Sequence, residues 1–287
     1  MIEVFFILSF LLSGGYAWRH GFFTTWNALW QFPLAFLIFF LGLVILFVLV
    51  LFLSTRFVNP HKELDRPSTY FRFMLNQFCR LILFLARVQV HTTGLEKVPR
   101  DRRFMLVSNH LFAYDPVIYY NAMPWADLAF LSKKENFSLV MVAEIMREVL
   151  CLPLDRENDR EALKAILKAI QFLKEDKCSI GVFAEGGTSK TGELKPFRNG
   201  AFKIAQRAQV PVVVCAVANT RAILHNMFLR RTDVYLDVLG VIEPEQFAGC
   251  TTIQIGNMAH EMMEQGVEAR KKAMAKAKES QKAKSEE

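Results

Sequence analysis

A chain of 287 residues has room for one sizeable catalytic domain plus an additional element. It is 52% hydrophobic, with the excess gathered before residue 60, and its formal charge of +7 calls for an anionic partner. The apolar beginning favours a bilayer surface over nucleic acid, for which no recognition helix or finger motif is present. Five scattered cysteines with no C-x-x-C pair, Cys79, Cys151, Cys178, Cys215 and Cys250, argue against a disulfide framework or a structural zinc site. They read as reduced, buried thiols of a cytosol-facing domain.

The first apolar stretch, residues 4–12, ends at Ser13-Gly14-Gly15 and reads either as half of a membrane hairpin or as an interfacial helix. Trp18, Trp26 and Trp30 stand where aromatic side chains meet lipid headgroups. Residues 32–53 contain no charge and span about 33 Å as a helix, enough for a hydrocarbon core of about 30 Å. The run starts too late and is too long for a cleavable signal. Arg56, His61, Lys62, Arg66 and Arg72 follow it, so the positive-inside rule puts the downstream domain in the cytoplasm.

Residues 70–87 pattern as an amphipathic helix whose apolar face rests on the domain or on the membrane. Beyond it, apolar strands at 88–90, 104–107, 128–131, 179–183, 212–217 and 234–241 alternate with helical patterns at 115–121, 135–149, 157–174 and 197–208. This alternation predicts an α/β fold with a mostly parallel sheet flanked by helices, and ligands beyond the carboxyl ends of its strands. The chain divides into a membrane anchor (1–62), a catalytic domain (63–267) and an Ala/Lys/Glu-rich tail (268–287) that reads as a solvated helix or frayed end.

Three strand exits carry chemistry. The first is the run from Asn109 and His110 to Asp115 and Pro116. A histidine near its free pKa takes a proton from an attacking hydroxyl, and a carboxylate on its other ring nitrogen fixes the tautomer. Asp115 serves if the loop turns back; equally, Asp-Pro is a good helix start, with Asp115 as N-cap. The second is Glu185-Gly186-Gly187-Thr188-Ser189-Lys190, where paired glycines admit an anion to the backbone, and Lys190 and Arg198 can hold a phosphate. Taken in isolation this piece reads more readily as an ordinary turn, and the order of a Walker loop is absent. The third is Leu152 to Arg156, where Arg156 either faces the same crevice or pairs locally with Asp155.

In this order, with the Gly-x-Leu-x-Pro-Phe-Arg-x-Gly-Ala-Phe run of residues 192–202, the Val-Pro-Val-Val of 210–213 and Lys133-Lys134-Glu135, the motifs resemble the glycerolipid acyltransferases, the 1-acylglycerol-3-phosphate acyltransferase family. The similarity covers residues 88–220. It implies acyl transfer in one step, without an acyl-enzyme. His110 is then the general base, oriented by Asp115, and the acyl donor is acyl-CoA or acyl-carrier protein. Asn109, Lys133, Arg156 and the Glu185–Gly186–Gly187–Thr188 loop form the acceptor site. No metal or resident cofactor is expected, no serine or cysteine of the motifs has an activating base, and the partners are a lyso-lipid in the membrane and the thioester donor. One departure matters. The family usually carries Phe-Pro-Glu-Gly-Thr-Arg, and here Ala184 replaces the proline and Thr188 the arginine. Either Lys190, Arg198 or Arg156 takes over the phosphate, or the acceptor differs from lysophosphatidate, or the chain is a membrane lipid-binding scaffold that has lost catalysis.

Overall fold

The computed structural model describes residues 1–22, 28–189, 191–227 and 229–286. The chain forms two compact units, Met1–His61 and Lys62–Glu287.

In the first unit, α1 (Ile2–Arg19) and α2 (Ala28–Thr55) pack on each other. Ser9, Ser13 and Ala17 are buried at four-residue spacing, and such small side chains let two helices approach closely. The Ser13 hydroxyl donates back to the Ser9 carbonyl at 2.5 Å. Aromatic side chains fill the remaining contact, with Phe5 against Phe47 and Phe6 against Phe40. α1 runs through Gly14-Gly15, where the sequence predicts a stop. Two mid-helix glycines cost about 1 kcal/mol each, and their neighbours outweigh that preference. Both helices are long and apolar enough to cross a membrane by length and composition. Trp18 and Trp30 are exposed, and Trp26 lies outside the described residues.

The second unit is built on a seven-stranded sheet. Its strands are β1 (Val88–Thr93), β2 (Met105–Ser108), β3 (Leu128–Lys133), β4 (Leu152–Leu154), β5 (Ser179–Phe183), β6 (Val212–Ala218) and β7 (Thr232–Ile242). Their spatial order is β1-β7-β6-β2-β5-β3-β4. Every pairing is parallel except β6 with β7. The central strands β2 and β5 are buried along their whole length, as strands covered on both faces must be. Pro153 falls on the edge strand β4, where its missing N–H leaves no gap in the ladder.

The helices are α3 (Thr69–Leu85), α4 (Asp115–Ala122), α5 (Val142–Glu148), α6 (Asp159–Lys174), α7 (Lys203–Ala208), α8 (Ala222–Asn226) and α9 (Thr252–Glu286). α3 buries Phe71, Met74, Leu81 and Leu83 and packs on α4, α5 and β1, so its apolar face rests on the domain. Arg72 is buried with them and donates to the carbonyls of Leu128 and Val149. It therefore drops out of the basic residues that follow α2. The helix expected at 135–149 is broken: a 3-10 turn covers Lys134–Ser138, and Met141 takes a positive φ before α5 begins. α9 passes the 267/268 position without interruption. Ile255, Ala259 and Met263 bury one face of it, and it packs on β6 and β7.

Candidate active site

The parallel strands β2, β5, β3 and β4 deliver their carboxyl ends to one edge, and all three motif loops meet there. His110 follows β2 by two residues. Asp115 opens α4, and Tyr114 occupies the N-cap position without a side-chain bond. The expected aspartate cap is thus displaced by one residue, and the carboxylate does different work. One oxygen, Oδ2, accepts the Leu111 amide at 2.7 Å, the Phe112 amide at 2.9 Å and His110 Nδ1 at 2.8 Å. The Asp115 side chain is fully buried and the histidine ring is 15% exposed. An ionised carboxylate only accepts, so Nδ1 carries the hydrogen and Nε2 is left as the basic nitrogen.

The imidazole lies on an aromatic stack. Its centroid is 4.1 Å from that of Phe183 at the end of β5, and Phe183 stacks on Phe130 of β3 at 5.4 Å. The backbone is clasped as well. Glu185 accepts the His110 amide at 2.7 Å on one oxygen and the Lys195 amide at 3.0 Å on the other, while the Ser189 amide donates to the His110 carbonyl at 2.7 Å. Burial raises the Glu185 carboxyl above its ordinary pKa, against the opposing pull of these two amides.

Beside the histidine two guanidinium groups converge on Gly186-Gly187. Arg156 donates Nη1 to the Gly186 carbonyl, and Arg198 lies across Gly186, whose φ is +72°. A Cβ there would stand 2.8 Å from Arg198 Cδ, so the glycine supplies both the left-handed backbone and the room for the arginine. Burial pushes the Arg156 pKa down, and the neighbouring Arg198 adds to the effect. Such a pair invites an anion.

Thr188 is exposed, and its carbonyl receives the Lys195 ammonium at 2.7 Å. Lys195 therefore places a positive charge beside the position where the family has its arginine. The sequence gives little warning of it, because ten residues separate Lys195 from Glu185 and only the folded loop joins them. The other expectations divide. Asn109 is committed to structure: its amide both donates to the Val217 carbonyl and accepts from the Val217 amide, which splices the histidine loop to β6. Lys133 sits at the end of β3 but pairs with Glu135 at the surface, while Lys134 binds Asp155 next to Arg156. Lys190 lies outside the described residues. No cluster of three metal-ligating side chains occurs among the described residues. Four of the five thiols are buried, and burial holds Cys79 and Cys178 at a pKa of about 12, far from a reactive thiolate.

Residues 89–218, which contain every one of these motifs, match the family model described as Acyltransferase. The chain is 28% identical over 161 residues to a 1-acyl-sn-glycerol-3-phosphate acyltransferase of Borreliella burgdorferi, covering 55% of this chain and 61% of that protein. It is 25% identical over 199 residues to the enzyme of that name from Saccharomyces cerevisiae, covering 68% and 64%. The matched segment thus spans a little over three fifths of each relative's length. The crystal structure of the 1-acyl-sn-glycerophosphate acyltransferase PlsC from Thermotoga maritima shares the fold, with a TM-score of 0.61 at 20% identity over 94% of this chain and 98% of that one. The histidine and its buried aspartate, the glycine loop and the strands that carry them all fall inside the matched segment, so residues 89–218 form an Acyltransferase domain similar to that of these 1-acyl-sn-glycerol-3-phosphate acyltransferases.

Proposed function

We propose that this chain is a membrane-anchored enzyme that transfers a fatty acyl group from a thioester, acyl-CoA or acyl-carrier protein, to the free hydroxyl of 1-acylglycerol-3-phosphate, yielding phosphatidate. The observation that carries the reading is the His110–Asp115 pair standing beside the Arg156–Arg198 pair: a base for a hydroxyl next to a seat for a phosphate.

His110 Nε2 takes the hydroxyl proton as the oxygen attacks the thioester carbonyl, and Asp115 stabilises the imidazolium that forms. Collapse of the tetrahedral intermediate breaks the C–S bond, and the thiolate leaves with the proton from the imidazolium. Arg156 and Arg198, with Lys195 close by, hold the acceptor's phosphate. For the apolar chain there is a cavity of about 220 Å³ between α3, α4, α5 and β3, lined by Leu75, Phe78, Ile82, Val117, Phe130 and Ile145. α1 and α2 tether the enzyme to the bilayer that holds its acceptor and product. Arg56, Lys62 and Arg66 after α2 favour the cytoplasmic side.

Thr188 supports a second acceptor reading, a lyso-lipid with a different headgroup, because a hydroxyl does not replace a forked cation. Thiol release from acyl-CoA by the detergent-purified protein, with and without lysophosphatidate, decides between them. Release that requires both lysophosphatidate and His110, and falls about 10²–10⁴-fold in His110→Ala, is the expected result. Release driven only by another lyso-lipid moves the assignment to that acceptor, and full activity in His110→Ala overturns the mechanism.

A further inference from the structure

β6 flanks β2 on the side away from β5, β3 and β4, and there a second cavity of about 270 Å³ opens against the histidine loop. Asn109 and Leu111, the two neighbours of His110, form one end of it. The carboxyl end of β6, with the small side chains Ala216 and Ala218, forms the floor, and Val267 and Met274 of α9 supply an apolar wall. The rim is basic, with Arg221, Arg270 and Lys271. Arg270 is anchored by its ion pair to Asp237, a nearly buried carboxylate that also accepts the Thr93 hydroxyl at 2.6 Å, and by the Tyr235 ring 4.6 Å beneath it. Three cations face one carboxylate, so the cavity keeps a positive excess. The motif loops supply only one end of this cavity, and two of its three cations come from the stretch of α9 that reads in sequence as a solvated tail.

Both substrates of the proposed transfer are anionic, and both must reach the same histidine. The Arg156–Arg198 pair on the β5 side seats one phosphate, and the β6 side holds a second, separate basic pocket. We propose that this second cavity receives the phosphopantetheine arm of the thioester donor, with the sulfur end at Asn109–Leu111 and the phosphate at Arg221 and Lys271. The assignment rests on the acyltransferase reading above. A slim arm of methylenes and amides ending in a phosphate suits a narrow slot with an apolar wall and a basic mouth. Acyl and acceptor then meet at His110 from opposite sides. The thiol released when the C–S bond breaks leaves by the way its arm entered. Coenzyme A and a carrier protein present the same arm and differ in what lies beyond its phosphate.

Calorimetric binding of coenzyme A and of free 4′-phosphopantetheine to the full-length protein in detergent tests this without turnover and without an acyl chain. Lys271→Glu and Arg221→Glu, both at exposed positions, should each weaken binding about tenfold or more, since each turns a charge-assisted contact into a repulsion. Ala218→Leu, which narrows the slot without touching charge, should do the same, and thermal midpoints confirm that each variant is folded. In turnover, the KM for acyl-CoA should rise in these variants while the KM for the acceptor holds. Tighter binding of coenzyme A than of phosphopantetheine identifies the nucleotide form as donor, and equal binding identifies the carrier protein; both support the cavity. The proposal is overturned if wild type binds neither probe, or if binding survives all three substitutions and is lost instead in Arg198→Ala. Cavity-dependent binding without acyl transfer to any acceptor would sink the functional reading and leave the pocket assignment standing.

Discussion

The loop after β2 closes on itself: within six residues, one oxygen of Asp115 gathers the His110 ring and two backbone amides. The loop after β5 is held from outside, by Arg156 from beyond β4, by Arg198, and by Lys195, whose amide and ammonium both fold back onto it. The first arrangement is compact and has one way of working. The second is a distributed set of cations, Arg156, Arg198 and Lys195, brought to one loop from separate stretches of the chain. Proton transfer depends on one atom pair at a fixed distance, whereas a phosphate is satisfied by positive charge arriving from several directions. On the proposed function, chemistry and recognition are encoded at different ranges along the chain.

The largest effect should come from breaking the compact loop. Asp115→Asn keeps the shape and can set its carbonyl oxygen where Oδ2 stands, but it removes the negative charge behind the imidazolium. kcat should fall about 10³-fold or more, with the acceptor KM little changed. An acceptor KM that moves as far as kcat would show that the aspartate shapes binding instead. In the distributed loop, Arg198→Ala should reverse the pattern. The acceptor KM should rise about tenfold, the loss of a charged hydrogen bond, with a smaller change in kcat. If the KM were unaffected, the phosphate would lie elsewhere.

Glu185 joins the two loops, and its replacement sharpens the comparison most gently. Glu185→Gln sets an amide NH₂ against one of two backbone N–H groups, so thermal or urea unfolding should register a loss of about 1–3 kcal/mol. The pH dependence carries a sign. Because burial raises this carboxyl, the folded protein binds the proton at pH values where the unfolded chain has released it. The shift supports folding fully at low pH, and that support is lost as pH rises through the raised value. Relative to Glu185→Gln, which has no proton to lose, wild-type stability should decline with rising pH just above the ordinary glutamate pKa of about 4.3. A pH-independent gap between the two would mean that Glu185 does not titrate differently on folding.

What the sequence reveals follows the same division. The α/β order, the mostly parallel sheet and the His110–Asp115 spacing are legible because strand periodicity and a five-residue loop are local properties. Lys195 at Thr188, Arg72 of α3 on the Leu128 carbonyl and Arg270 on Asp237 are not, since each depends on two segments meeting only in the folded molecule. The break at Met141 in the helix expected over 135–149 is likewise hidden, because the helical pattern of the sequence runs through it. Asn109 shows the reverse case: its side-chain amide, which sequence alone offers as a ligand contact, is hydrogen-bonded to Val217, so what it presents to the β6-side cavity is a fixed surface.

The stacked rings behind the histidine reach further than the active site. Phe130 touches the apolar cavity on one side and Phe183 on the other, and Phe183 carries the imidazole. Room for that ring is made by Gly181 on the adjacent strand, where a Cβ would come within 2.6 Å of Phe130 Cδ1. On the proposed function, in which the cavity takes the fatty chain and His110 the proton, selectivity and speed share one mechanical support. An engineer who carves Phe130 to admit a bulkier fatty chain also loosens the base, so new chain-length preferences are more cheaply sought on the α3 and α5 walls, at Leu75 or Ile145, which stand clear of the stack.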